Sequence, residues 1–81
     1  MFFTSKNYLN VSFFQPKFEK CILNDNWYNI RSKLSQKDIE IISIVINAKY
    51  DEEVDNKIWN ECEYILKKIN KIDENLRNIK R

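Results

Sequence analysis

The sequence predicts a mainly α domain of the α+β class: a short N-terminal β-hairpin, then an αα-hairpin with a long C-terminal helix. An all-α helical bundle is the alternative. Three observations carry the prediction. Residues 8–14, YLNVSFF, alternate apolar and polar as a half-buried strand does. Ser35 and Asp38 stand three apart ahead of an isoleucine-rich run, the pattern of a capping box. From Ile58 to Ile79 the apolar residues recur at alternating steps of four and three.

Residues 1–24 form the hairpin-like unit. Leu9, Val11 and Phe13 share one side, with Asn10 and Ser12 on the other, and the run has aromatic and β-branched support. Gln15-Pro16 breaks it, proline being suited to the second position of a turn. KFEKCIL then returns as a second strand, although Phe18, Cys21 and Ile22 fit helical spacing about as well. Asn24-Asp25-Asn26 reads as a turn. The sequence contains no glycine, so its tight turns fall to Asn and Asp, which tolerate the left-handed region best among the rest.

Residues 26–50 carry short helices. Trp27, Ile30 and Leu34 lie on one helical face. Ser35 is the cap of the next helix, Asp38 its reciprocal acid and Leu34 its hydrophobic staple. IEIISIVI is β-branched enough for a strand, yet the cap and the Ile39, Ile42, Ile46 spacing favour a helix, with a turn at residues 47–50. Residues 51–81 form the long amphipathic helix. Cys62, Ile69 and Leu76 take the a positions of a heptad, and Ile58, Ile65, Ile72 and Ile79 the d positions. Trp59 and Leu66 at e widen the stripe, whereas Asp73 and Lys80 narrow it further on.

Composition excludes several classes of function. A chain of 81 residues makes one small domain with a marginal core. Its 43% hydrophobic and 32% charged content is that of a globular chain, and a net charge of +2 demands no polyanionic partner. Without glycine no phosphate-cradling loop can form, and without histidine the commonest general base and metal ligand are both missing. Two cysteines, Cys21 and Cys62, are too few for a disulfide scaffold and lack the companions of a zinc or nucleophile site. No cofactor, no metal and no enzymatic activity are expected. The N-terminus lacks a signal-peptide pattern and the longest apolar run is too short for a membrane span, so a cytoplasmic protein is expected.

Charge is segregated along the last helix. Asp51, Glu52, Glu53 and Asp55 precede it, and Lys67, Lys68, Lys71, Arg77, Lys80 and Arg81 crowd its second half. A solvated face explains this well, since acids near a helix start and bases near its end complement the macrodipole. Glu53–Lys57, Glu63–Lys67 and Asp73–Arg77 are also well-oriented i,i+4 pairs. Two functional readings stand beside it. The acids could imitate phosphates on an acidic contact surface, and the bases could meet nucleic acid. The aromatic-rich first half, interleaved with lysines, reads chiefly as core and secondarily as a base-stacking surface.

Geometry points to a protein partner. A helix over 36–49 is about 20 Å long and one over 52–80 about twice that. The first can therefore cover the second only to about Leu66. Ile69, Ile72, Leu76 and Ile79 overhang, and with Ile65 they form the expected partner-binding set. Each exposed side chain forgoes roughly 1.5–3 kcal/mol of burial. The occupant is another protein or a second copy of the chain, a homodimer. Usage of Lys, Asn and Ile matches AT-rich genomes, hence a low-GC bacterium, a phage or a mobile element. The expected role is a small non-enzymatic inhibitor or regulator that occupies a surface of a larger complex. A phage-encoded, anti-CRISPR-like protein directed at a bacterial defence complex has this general character. A nucleic-acid-binding regulator using the basic C-terminal helix is the alternative.

Overall fold

Val11, Phe14 and Phe18 stand at i, i+3 and i+7, and all three side chains are buried on one face of a helix. The structure, a computed structural model, describes residues 9–79. It contains four α-helices, α1 (Leu9–Ile22), α2 (Trp27–Ser32), α3 (Gln36–Asn47) and α4 (Asn56–Ile79), with a 3₁₀ turn at Asp51–Glu53. No strand occurs among the described residues, so the expected N-terminal hairpin is not formed. Residues 1–8, including its first residue Tyr8, lie outside the described residues.

The hairpin loses for reasons that can be weighed. Pro16 sits inside α1 and removes the hydrogen bond to the Ser12 carbonyl, at a cost of about 3 kcal/mol. Burying Val11, Phe14 and Phe18 together offsets this, at roughly 1.5–3 kcal/mol for each side chain. A lone two-stranded hairpin has no comparable return. The proline ring faces solvent, and the alternating Leu9 and Phe13 are the residues left exposed.

α1 and α4 run parallel, with α3 antiparallel between their flanks. Asp51, just before α4, accepts hydrogen bonds from the backbone N–H groups of Asn10 (3.0 Å) and Val11 (3.0 Å). Phe14 stacks on Trp59 at 5.9 Å between centroids, nearly parallel at 11°. Phe18, Ile30, Val45, Cys62 and Ile65 are the most deeply buried side chains, one or more from each helix. The result is an all-α globule with one core. No helix among the described residues is long and apolar enough to cross a membrane.

The helix ends show how a glycine-free chain manages. No described residue has positive φ, so Asn and Asp do not take the left-handed region as expected. Side chains close the ends instead. Ser35 and Asp38 form the expected capping box at α3, with Asp38 N–H donating to Ser35 Oγ (3.1 Å) and Ser35 N–H to Asp38 Oδ2 (3.2 Å). At the other end of α3, Gln15 Nε2 reaches across from α1. Its two N–H donors are shared among the carbonyls of Val45 (3.1 Å), Ile46 (2.8 Å) and Ala48 (2.9 Å) where α3 ends; Val45 O also accepts from Ala48 N–H (3.2 Å). Asn24 Oδ1 accepts from Asn26 N–H (2.8 Å) and tightens the turn between α1 and α2.

Candidate partner-binding site

α4 is the longest helix, and its apolar stripe is divided by what packs on it. Ile65 and Ile69 are buried within the core cluster, so they belong to the core and offer little to a partner. Ile72 and Leu76 are half-buried at its edge. The cause is the place where α3 begins: Lys68 Nζ lies 2.7 Å from Asp38 Oδ2, in the first turn of α3. Beyond Lys68, α4 continues to Ile79 and outruns α3 by about 16 Å.

α2 takes up part of that overhang. Ile30 is completely buried, Trp27 packs at the core edge, and Asn26 Nδ2 lies 3.5 Å from Asp73 Oδ1. The expected overhang is thus closed on one side from within. On the other side an open groove of about 500 Å³ remains, lined by Lys33, Ile72, Asn75, Leu76 and Asn78. The side chain of Ile79 lies outside the described residues. Lys33 belongs to the lysines interleaved with the aromatic-rich half, and nothing local in the sequence brings the α2–α3 junction to the end of α4.

The acidic stretch is largely structural. Asp51 caps α1, Glu53 Oε1 accepts from Lys49 N–H (2.8 Å), and Asp55 Oδ1 accepts from Lys57 N–H (3.1 Å) at the start of α4. Glu52 is exposed and borders a polar groove with Asn10 and Asn56. Asp51, Glu53 and Asp55, expected on an acidic contact surface, therefore help to hold their own chain together.

The basic set also divides. Lys68 is tied to Asp38, and Arg77 to Asp73 at 3.0 Å. Of the three expected i,i+4 pairs, Asp73–Arg77 is the one within ion-pair distance. Lys67 and Lys71 are exposed on the outer face of α4 beside Tyr64, which is 69% exposed. Tyr64 takes a c position of the heptad, outside the a and d seam. Lys80 and Arg81 lie outside the described residues.

Protonation follows burial. Burial raises the Asp38 carboxyl pKa, but hydrogen bonds from Lys68 and Ser35 outweigh it and hold the group below its ordinary value. Burial, then the charge of Glu61, pushes the Cys62 thiol up to about 12. Cys21 is raised by burial and then by Asp73. Both cysteines are free thiols, in states unsuited to nucleophilic chemistry. No group of three His, Cys, Asp or Glu side chains suited to a metal ion occurs among the described residues. Neither a family model, nor a curated protein, nor a solved structure matches this chain.

Proposed function

We infer that this chain is a small non-enzymatic binding protein, an inhibitor or regulator that occupies a surface of a larger protein through the end of α4. One observation carries the reading. Ile72 and Leu76 continue the core stripe past the last residue that α3 can cover and end in an open groove. Half-buried aliphatic residues beside such a groove are the elements of a helix-in-groove contact. The test is affinity capture with the wild-type chain and with Leu76→Asp, both first shown to be folded by circular dichroism. A stoichiometric partner retained by the wild type and lost with Leu76→Asp supports the reading. A captured partner that ignores the substitution overturns it.

A second reading rests on Tyr64, Lys67 and Lys71, which share the outer face of α4. An exposed ring flanked by two lysines is a surface on which a base can stack and phosphates can pair. It predicts binding to duplex or single-stranded DNA that weakens steeply with salt and is lost in Lys67→Glu/Lys71→Glu. Leu76→Asp would leave that binding unchanged.

A further inference from the structure

We propose that the groove beside Ile72 and Leu76 receives an acidic amphipathic helix of a partner protein, and not a second copy of this chain. The proposal rests on the protein-binding reading above and names its partner's chemistry. Ile72 and Leu76 are one turn apart, so they offer two neighbouring apolar sites of the spacing that a helix presents at i and i+4. The rim is basic and amidic: Lys33, Asn75 and Asn78 line it, and no carboxylate does so among the described residues. The two acids of this stretch are directed elsewhere. Asp73 is paired with Arg77 and Asn26, and Glu74 lies about 160° around the helix from both Ile72 and Leu76.

The groove on the opposite side of α4 differs: Leu66, Ile69 and Cys21 lie beside Lys17 and Lys20, but Asp73 lines it as well, so the carboxylate-free rim belongs to the groove at Ile72 and Leu76.

A second copy docked in two-fold fashion does not supply that acidic helix. A two-fold contact through the same groove sets Lys33 against a basic border. Sequence charge makes this worse, because Lys71, Arg77, Lys80 and Arg81 outnumber Asp73 and Glu74 over this end.

The test is a titration of the isotope-labelled full chain with two synthetic helical peptides, followed by NMR. Both carry leucines at i, i+4 and i+7; one is flanked by glutamates, the other by lysines. The expected result is shifts at Lys33 and from Ile72 to Asn78, with the glutamate peptide binding roughly tenfold tighter in low salt. That preference narrows in high salt and collapses in Lys33→Glu. Equal affinity of both peptides at this groove overturns the acidic partner while leaving the docking reading intact. An absence of shifts there with either peptide overturns both. Concentration-dependent dimerisation of the free chain that shifts the same residues assigns the groove to a second copy. Displacement of the glutamate peptide from it by duplex DNA assigns it to nucleic acid, and either result overturns the proposal.

Discussion

Lys68 Nζ and Asp38 Oδ2 meet at 2.7 Å and fix where the start of α3 stands against α4. The Asp38 side chain is only 9% exposed and also closes the capping box with Ser35. Its carboxylate therefore serves two elements at once. This bond sets which part of α4 is core and which part projects.

Asp38 makes stability depend on pH. Its folded pKa is depressed, so its contribution is present above the unfolded carboxylate value and is lost as pH falls through the folded one. Lys68→Met removes the strongest stabiliser of the charge. The Lys68 side chain is 39% exposed, which keeps the expected loss at neutral pH to about 1–2 kcal/mol, below that of a fully buried pair. Urea unfolding across the acid range checks it: the variant should lose less stability on acidification than the wild type. Parallel acid limbs in the two proteins would assign the pH dependence to other groups.

Gln15 is expected to matter as much as a core residue of its size. Its amide alone joins α1 to the last carbonyls of α3. Gln15→Ala leaves these acceptors in a half-buried site and should cost about 1–3 kcal/mol. Gln15→Glu should be worse near neutral pH, because a carboxylate oxygen replaces the donor opposite three carbonyl oxygens. Protonation restores a donor, so the gap between Gln15→Glu and wild type should shrink toward acid pH. Thermal unfolding reads both, at roughly 4–8 °C per kcal/mol for a domain of this size.

These long-range caps explain what the sequence could and could not show. The Ser35–Asp38 box and the seam from Ile58 onward were legible because their partners lie within a few residues along the chain. α1 was not. Leu9, Val11 and Phe13 alternate as a strand does, and Pro16 marks a break, while the helical set Val11, Phe14, Phe18 overlaps both signals. Contacts from distant positions decide the matter: Trp59 stacks on Phe14 and Asp51 caps the start of α1. The candidate site shows the same limit. Heptad spacing marks Ile65, Ile69, Ile72 and Leu76 alike, and only the placement of α2 and Lys33 tells buried from half-buried.

The two thiols should differ in reactivity. Cys62 is wholly buried with its pKa near 12, whereas Cys21 is half-buried beside an open groove. An aromatic disulfide reagent at mildly alkaline pH should modify Cys21 slowly in the native protein and Cys62 only after unfolding. The sign of the linkage also follows. A thiol pKa raised by folding contributes stability fully present below its unfolded value, and lost as pH rises toward about 12. Rapid native labelling of both thiols would show that the Cys62 pocket opens far more readily than its packing implies.

The seam itself supplies the decisive comparison, because equivalent heptad positions have unequal surroundings. Ile69 is 2% exposed and belongs to the core cluster, whereas Leu76 is half-buried at the groove edge. Ile69→Ala should therefore cost about 2–5 kcal/mol, the range for emptying a buried aliphatic site, and Ile69→Asp should abolish folding. Leu76→Ala should cost less, about 1–2 kcal/mol, since part of its area is already in water. Leu76→Asp should likewise remain folded while losing whatever binds the groove. Denaturant unfolding of the alanine pair measures the asymmetry directly. Equal losses at the two positions would mean that the end of α4 is as fully covered as its middle, and the groove would no longer be available to a partner.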